Sequence, residues 1–454
     1  MERNKRKRWV WCVWLALSMC CVPVWAEDAG DVDTTVTEEV VPPAEVDTGD
    51  AAWMMTASAL VLLMTPGLAF FYGGLVRRKN VLSVLMQCFL CMCLMTVLWV
   101  TVGYTLAFGD TGTSSFIGNF DHLFLKGIEP GTVDGQLFVI FQGMFAIITP
   151  ALILGAFAER MKFSGFVVFS ALWLLLVYCP VCHWVWCNLG EEHAGIWGLG
   201  ADGALDFAGG TVVHINAGIA ALMAAFVLGK RQGYPERISP PHNLPFAVLG
   251  AGLLWFGWFG FNAGSAVASN GSAINAFAVT HVATAMGGLT WALIEWMRSK
   301  PTVLGIITGA VAGLVAITPC AGSVDVMGSL GVGAGASIFA YIAVAFLKVK
   351  LGYDDSLDVF GVHGVAGIWG AIAAGIFATS AVPGNDTNGG LYGNWGQVLV
   401  QLKAVGYTLV YSGVVSFILL KLVDLTIGLK AGQHEERVGL DLTEHAETAY
   451  TIMD

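Results

Sequence analysis

Long apolar runs are the feature that most constrains how this chain can fold. Each is long enough to cross the roughly 30 Å hydrocarbon core of a bilayer as an α-helix, which satisfies its backbone hydrogen bonds within the segment. Transmembrane β-strands would instead alternate polar and apolar residues. The sequence therefore predicts an all-α polytopic membrane protein with eleven transmembrane helices. The eleven runs lie at residues 53–76, 81–108, 136–158, 163–187, 208–229, 244–262, 275–297, 302–320, 324–347, 360–381 and 398–428.

The composition excludes the main classes of soluble protein. Hydrophobic residues make up 56% of the 454 positions and charged residues only 12%, whereas a soluble domain carries about 25% charged residues. A water-soluble enzyme and a disordered scaffold are excluded because so few charges cannot cover so much apolar surface. The formal net charge of −11 argues against nucleic acid as a partner, because nucleic-acid binding depends on lysine and arginine contacts to phosphates.

Basic residues indicate which ends of the runs face the cytoplasm. They follow the first, third, fifth, seventh and ninth runs, whereas the loops after the even-numbered runs hold one basic residue, Lys126. Because cytoplasmic loops carry the excess of Lys and Arg, the N-terminus is predicted outside and the C-terminus inside. The residues behind this prediction are Arg77, Arg78, Lys79, Arg160, Lys162, Lys230, Arg231, Arg237, Arg298, Lys300, Lys348 and Lys350.

The N-terminus has the pattern of a secretory signal peptide. Five basic residues precede the apolar stretch from Trp9 to Val24, and Ala26 supplies the small residue of a cleavage site. An uncleaved first helix is the alternative. We expect a signal peptide at 1–26, an acidic extracytoplasmic leader at 27–52, a transmembrane domain at 53–428 and a cytoplasmic tail at 429–454. This organisation predicts a multi-pass protein of the cell inner (plasma) membrane.

Two of the runs contain a weak internal repeat. Asp206 lies just before the fifth run, which contains His214, and Asp358 lies just before the tenth run, which contains His363. Five runs per unit is an odd number, so the second copy would be inverted in the membrane. Inverted repeats are typical of transporters, which place a substrate path at the repeat interface. The sequence therefore predicts an inverted five-helix repeat followed by one final long helix.

The two histidines are the strongest candidates for function. Ionisable residues within membrane helices are rare and usually functional, and a neutral imidazole offers one hydrogen-bond donor and one acceptor. His214 and His363 could line a narrow path for a small polar solute. They could instead be satisfied core residues, or ligands of a haem or metal in a membrane oxidoreductase, although no further clustered ligands accompany them.

Other polar residues are open to simpler interpretations. Asp206 precedes the fifth run and could cap its helix or help to stabilise a nearby cation. Aromatic residues near the predicted outer ends are typical of a membrane-interface belt, although an aromatic face can also bind a small cation. Cys187 and Cys320 are both expected near the outer face, and the sequence leaves open whether they form a disulfide.

Five longer segments carry a resemblance to a known family: PGLAFFYGGLVRRKNVLS at 66–83, GAFAERMKFS at 155–164, ALDFAGGTVVHINAG at 204–218, GWFGFNAGSA at 257–266 and DVFGVHGVAGIWG at 358–370. With these segments in this order, the chain resembles the ammonium transporter (Amt/Mep/Rh) family, and in particular its bacterial Amt-type members. The resemblance extends from Trp53 to the C-terminus. One departure is the segment at 186–203, which differs from the glycine-rich stretch of the family.

The resemblance implies a set of site residues. Members of the family recruit ammonium in an outer vestibule, pass it through a gate of two stacked phenylalanines and conduct it along a pore with twin histidines. An aspartate supports recruitment and deprotonation, and further aromatics line the path. By position, recruitment is assigned to Trp186, Phe145, Ser265 and Asp206, the gate to Phe145 and Phe261, the pore to His214 and His363, and the supporting aromatics to Phe141 and Trp258.

The same resemblance implies the partners and the activity. The family forms homotrimers with one pore per subunit, and its bacterial members bind a PII signalling protein on the cytoplasmic face. The tail at 439–450, GLDLTEHAETAY, resembles the region involved. We therefore expect an ammonium transporter without an enzymatic activity, a cofactor or a metal. A sensor that binds ammonium with little flux would share every pore residue and is the main alternative.

Overall fold

The computed structural model describes residues 46–109, 115–187, 203–236 and 239–451. The predicted signal peptide, the leader as far as residue 45 and residues 188–202 of the segment that departs from the family lie outside these ranges. Helices joined by turns make up the described part. The longer helices are α1 (Thr48–Leu75), α2 (Arg78–Phe108), α3 (Val133–Phe157), α4 (Phe163–Trp186), α5 (Gly210–Leu228), α6 (Leu244–Ala266), α7 (Gly271–Trp296), α8 (Val303–Ile317), α9 (Val326–Leu351), α10 (Phe360–Phe377) and α11 (Gly396–Thr426).

Each predicted run corresponds to one of these helices. Within the described residues, ten helices are long and apolar enough to cross a membrane. The eighth, α8, has 15 residues and rises only about 22 Å at 1.5 Å per residue. The helix ends before Pro319, which cannot continue the hydrogen-bond ladder. At the other end of the chain, α1 begins at Thr48, inside the range predicted for the leader, where the Asp47 side chain accepts a hydrogen bond from Asp50 N (2.9 Å).

The helices that carry the two histidines begin in the same way. Both α5 and α10 open with a wider π-helical turn, and this turn contains His214 in one helix and His363 in the other. Such turns are uncommon and occur frequently at functional sites. A residue with positive φ precedes each turn. Gly209 (114°) lies directly before the turn of α5, and Asp358 (60°) lies two positions before the turn of α10.

The structure changes one detail of the predicted repeat. Asp206 lies eight residues before its histidine, and the residue at that distance from His363 is Asp355 rather than Asp358. Asp355 also has the equivalent contact, because its Oδ2 accepts from Phe360 N (2.8 Å) as Asp206 Oδ2 accepts from Thr211 N (2.8 Å). The equivalent of Asp206 is therefore Asp355, and the prediction that paired it with Asp358 was wrong. Three aspartates, at 354, 355 and 358, precede His363, and the bond from Phe360 N identifies Asp355 as the one that matches Asp206.

Two glycines set the distance between α5 and α10. A Cβ atom built on Gly218 would lie 2.3 Å from the backbone nitrogen and 2.4 Å from the Cα of Gly364. Such contacts are impossible for any larger residue, so the helix backbones touch at this point. Small residues allow this approach in membrane proteins, where close packing replaces the hydrophobic effect as the driving force. The crossing places the histidine-bearing turns against each other.

Buried ion pairs join the helix ends on the predicted cytoplasmic side. Glu159 pairs with Arg77 (2.9 Å) and Arg231 (3.3 Å), and Arg231 also pairs with Asp354 (2.8 Å). Burial disfavours the charged form of Glu159, but Arg77 and Arg231 outweigh this effect and hold the pKa of its carboxyl below the ordinary value. Burial likewise opposes ionisation of Asp354, but Arg231 and Arg160 hold the pKa of its carboxyl below the ordinary value. The network ties α1, α3 and the loops after α5 and α9 together.

The C-terminal tail packs against this end of the bundle. Its short helices, Gln433–Val438 and Leu440–His445, follow α11. Asp441 Oδ1 accepts from Ser83 N at the start of α2 (2.8 Å). Tyr450 Oη lies 2.9 Å from His242 Nε2, in the loop before α6. Residues 429–451 therefore form an ordered part of the face that loops from several helices share.

Replacing Gly218 by alanine tests the helix crossing. The added methyl group must push α5 and α10 apart, and overpacking of this kind costs about 1–3 kcal/mol. We expect a lower thermal unfolding midpoint for the purified protein in detergent. Gly406→Ala in α11 is the matched control, because a Cβ there meets nothing within 4 Å and alanine favours the helix. Equal midpoints for the two variants would contradict the close crossing.

Candidate functional site

The predicted gate and vestibule aromatics form one cluster. The rings of Phe145 and Phe261 have centroids 4.5 Å apart, with an interplanar angle of 52°. They are therefore in contact but tilted, not stacked. Phe145 also makes edge contacts with Phe141 (5.0 Å) and Trp186 (5.5 Å). All three phenylalanines are buried, whereas Trp186 is partly exposed, so the cluster runs from an accessible ring to an enclosed one.

Trp186 is held by the segment that leads into α5. Its indole Nε1 donates to the backbone oxygen of Asp206 (2.8 Å). Ser265, the other predicted recruitment residue, is partly exposed in the turn that ends α6, and its Oγ donates to the backbone oxygen of Phe261 (2.9 Å). This bond leaves the lone pairs of the Ser265 hydroxyl to face an incoming donor.

The Asp206 carboxylate caps the start of α5. Its Oδ1 accepts from Gly209 N (3.0 Å) and Gly210 N. Its Oδ2 accepts from the backbone nitrogens of Thr211 (2.8 Å) and Val212 (3.2 Å) and from the Thr211 hydroxyl. Burial raises the pKa of the Asp206 carboxyl, and the hydrogen bonds from Thr211 oppose that rise. The side chain therefore faces the backbone of α5, and the structure favours the structural interpretation of Asp206.

The two histidines contact each other directly. His214 Nδ1 and His363 Nδ1 are 3.2 Å apart, and the rings are stacked with centroids 5.3 Å apart. Since one nitrogen must donate and the other accept, the two neutral rings are in opposite tautomers. The second nitrogen of His214, Nε2, is buried and has no hydrogen-bond partner among the described residues. An unsatisfied buried nitrogen of this kind is costly and calls for a polar ligand.

A small cavity lies between the aromatic cluster and the histidine pair. Its volume is about 10 Å³, close to the room that the centre of one water-sized molecule requires. Trp258 forms part of its wall and stacks on His214 at 5.4 Å. The cavity walls are otherwise apolar, so the imidazoles are its polar groups. The remaining lining residues are Met64, Leu68, Phe71, Ile148, Leu152, Val213, Leu254, Phe261, Val311 and His363.

A second, larger cavity begins at the other side of the histidines. Its volume is about 410 Å³, and His363 and Phe71 line both cavities. Its wall includes Arg231, Glu295 and Asp358 among many apolar residues, so it carries charged groups that the small cavity lacks. His363 therefore lies between a narrow apolar space and a wider, partly charged one on the predicted cytoplasmic side.

Sequence reasoning missed two residues of this site. Phe71 lines both cavities, but one phenylalanine in an apolar run gave no signal of its own. Thr318 accepts a hydrogen bond from Trp258 Nε1 (2.8 Å) and so fixes the ring that stacks on His214. The only available signal for Thr318 was its place beside Pro319, where α8 ends.

The described residues contain no group of three or more His, Cys, Asp or Glu side chains arranged to hold a metal ion. Cys187 and Cys320 form no disulfide with each other. Cys187 Sγ points to the backbone oxygen of Gly109 (3.9 Å) and Cys320 Sγ to that of Gly370 (3.1 Å).

A polytopic helical bundle with buried histidines beside a small enclosed cavity is typical of a channel or transporter for a small polar solute. Comparison with known proteins gives the family. The model of the Ammonium Transporter Family matches residues 52–450. The ammonium transporter of Aquifex aeolicus is 50% identical over 416 residues, which cover 90% of this chain and 95% of that protein. The chain therefore belongs to the Ammonium Transporter Family.

Solved structures agree with this assignment. The crystal structure of Saccharomyces cerevisiae Mep2 matches with a TM-score of 0.79 and 34% identity, covering 86% of this chain and 88% of that one. A structure named Sensor Amt Protein matches with a TM-score of 0.80 and 28% identity, covering 87% of this chain and 98% of that one. The all-helical fold predicted from the sequence is confirmed.

Asp206→Asn tests the role of the carboxylate as a cap. An asparagine has one acceptor oxygen, and its NH2 group would face backbone N–H groups of α5 that Asp206 now satisfies. We expect a destabilisation of roughly 2–4 kcal/mol, seen as a lower thermal unfolding midpoint. Asp325→Asn is the control, because Asp325 caps α9 through a single bond to Gly328 N (2.7 Å) and Asn and Asp cap equally well. An equal fall in the unfolding midpoint for the two variants would contradict the conclusion that Asp206 caps α5 through several hydrogen bonds.

Proposed function

We propose that this protein transports ammonium, binding it as a cation at the outer aromatic residues and conducting it as ammonia between His214 and His363. The observation that carries the proposal is the unbroken series of ring contacts from Trp186 through Phe145 and Phe261 to the histidine pair. The series connects a partly exposed ring to a cavity with room for one small molecule.

The outer residues suit a small cation. The face of an aromatic ring attracts a desolvated cation by about 2 kcal/mol, and Trp186 is partly exposed next to Phe145. The Ser265 hydroxyl can accept a hydrogen bond from ammonium. In this proposal Asp206 contributes through the field of its carboxylate and by holding Trp186 through its backbone oxygen.

The cost of moving charge favours ammonia as the species that crosses. A bare monovalent cation near the bilayer centre costs about 10–17 kcal/mol by simulation-based values. Deprotonation at pH 7 costs only about 4–5 kcal/mol if a lysine-like pKa of about 10.4 represents ammonium. The apolar walls of the small cavity offer nothing to offset the higher cost, whereas His214 Nε2 can exchange a hydrogen bond with a neutral amine.

The proton can take a separate route along the histidines. The 3.2 Å contact between the Nδ1 atoms allows a proton to pass from one ring to the other, with both rings changing tautomer. Such a relay would deliver the proton to the wide cavity, where ammonia could be protonated again. Transport would then be electrogenic, with one charge moved for each ammonium taken up.

The membrane setting follows the sequence prediction. We propose cleavage after residue 26, an extracytoplasmic leader, insertion into the inner (plasma) membrane with the N-terminus outside, and α8 as the eleventh spanning helix. The distribution of basic residues supports this orientation. In this orientation the aromatic cluster faces the outside, and the 410 Å³ cavity and the tail face the cytoplasm.

Two partners are proposed from the family resemblance. The first is the chain itself, because three copies would form a homotrimer with a pore in each subunit. The other is a PII signalling protein at the cytoplasmic face, for which the ordered tail offers a surface joined to the start of α2 and to the loop before α6.

A sensor is the second candidate function. It is favoured by the similarity to Sensor Amt Protein and by the contacts between the tail and several loops. A sensor would bind ammonium at the same aromatic residues, but it would signal through the tail without sustained flux. Uptake measurements separate the two functions.

Ammonium uptake by vesicles with the purified protein tests the proposal. We expect saturable uptake, and an increase of about tenfold in the half-saturating concentration for Trp186→Leu, because the lost ring contributes about 1–2 kcal/mol to cation binding. Trp395→Leu is the control, since Trp395 is exposed just before α11 and lies outside the site. Binding without uptake by the wild-type protein would exclude transport and favour the sensor.

A further inference from the structure

Gln401 is a buried polar residue in the apolar helix α11. Its side-chain Oε1 accepts from Leu205 N (2.6 Å), and its Nε2 donates to the backbone oxygens of Leu205 (2.8 Å) and Ala371 (2.9 Å). The Nε2 of Gln397, one turn earlier, also donates to Gln401 Oε1 (3.3 Å). The side chain therefore binds both main-chain groups of Leu205 and one carbonyl of α10.

These contacts use the full hydrogen-bonding capacity of the amide. A glutamine side chain has two donor hydrogens and an oxygen with two lone pairs, and each has a partner here. The orientation of the amide is also fixed by its neighbours, because Leu205 N can only donate and two carbonyl oxygens can only accept. Of the other side chains, only a protonated glutamate comes close to reproducing this arrangement, and it would lack one donor.

The position of Leu205 connects this residue to the recruitment site. Leu205 precedes Asp206, whose backbone oxygen accepts from Trp186 Nε1 and whose carboxylate caps α5. Gln397 holds the same segment two residues earlier, by donating to the backbone oxygen of Gly203 (3.1 Å). The other contact of Gln401, Ala371, lies two turns after His363 in α10.

We infer that Gln401 is a positioning residue for ammonium recruitment. It fixes the segment at 203–206 against α10 and so holds the Trp186 ring in place beside Phe145. This inference rests on the proposed transport function. Gln401 touches neither the proposed cation nor the histidines, so it acts only through Leu205 and Ala371. Preorganised supporting hydrogen bonds of this kind determine how precisely a binding residue is held.

The test is ammonium uptake by Gln401→Met, which keeps the length of the side chain and removes its four hydrogen bonds. We expect the half-saturating concentration to rise about tenfold, the effect of one to two lost buried hydrogen bonds, while the maximal rate changes by less than about threefold. Thr408→Val is the control, because it removes one buried hydroxyl of α11 that bonds only within the helix. We expect the control to transport like the wild type.

A double-variant cycle separates positioning from general stability. If Gln401 acts through Trp186, the half-saturating concentration of Gln401→Met/Trp186→Leu will be close to that of Trp186→Leu alone. Independent, multiplying effects would overturn the inference, as would an unchanged half-saturating concentration in Gln401→Met. A loss confined to the maximal rate would also overturn it.

A second variant covers the case in which Gln401→Met does not fold. Gln397→Met removes the bonds to Gly203 O and to Gln401 Oε1, and we expect a smaller rise of about two- to threefold. No rise in this variant would then overturn the inference. The proposed function has its own readout, because its failure would abolish uptake by the wild-type protein and by the Thr408→Val control.

Discussion

The crossing of α5 and α10 at Gly218 and Gly364 is the constraint on which the site depends. Backbone contact at this point is possible because Gly218 has no side chain, since a Cβ atom there would overlap the backbone of Gly364. It brings the π-helical turns of the two helices together and leaves the Nδ1 atoms of His214 and His363 3.2 Å apart. A wider crossing would separate the imidazoles, so the contact between the histidines depends on the contact between the two helix backbones.

The part of the site that contains Trp186 depends on a different kind of interaction. Here the segment at 203–209 has no helical hydrogen bonds of its own, and side chains supply the missing partners. Asp206 satisfies the first amides of α5, while Gln401 satisfies both main-chain groups of Leu205. Trp186 is therefore held by a segment that is itself fixed by polar side chains. Supporting contacts of this kind give a binding residue its rigidity.

The pattern of the sequence predicted most of the fold. Membrane helices satisfy their own backbone, so apolar runs and basic loops indicated all eleven longer helices within a few residues. The family resemblance brought Trp186, Phe145, Phe261 and the histidines into one list, although Trp186 and Phe145 lie outside the five matching segments, and the structure places all five residues in one series of contacts. Their roles in transport remain a proposal.

The rest could not be read from the sequence because it depends on contacts across the bundle. The eight-residue spacing to the histidine matches Asp355, but only the backbone bond from Phe360 N shows that Asp355, and not Asp358, repeats the cap of Asp206. Gln401 was visible as a polar residue in an apolar run, but its partner Leu205 is 196 positions away. The bond between Trp258 and Thr318 spans 60 positions.

The central claim is that ammonia crosses between the histidines while its proton passes along them. The direct test is the ammonium-evoked current of proteoliposomes containing the wild-type protein or the His214→Ala/His363→Ala variant, with internal pH recorded in the same vesicles. His281→Ala, at an exposed histidine of α7, is the control and should behave like the wild type. We predict a transient current in the wild type that the double variant loses, with any remaining ammonia entry seen as internal alkalinisation. An unchanged current in the double variant would contradict the proton relay.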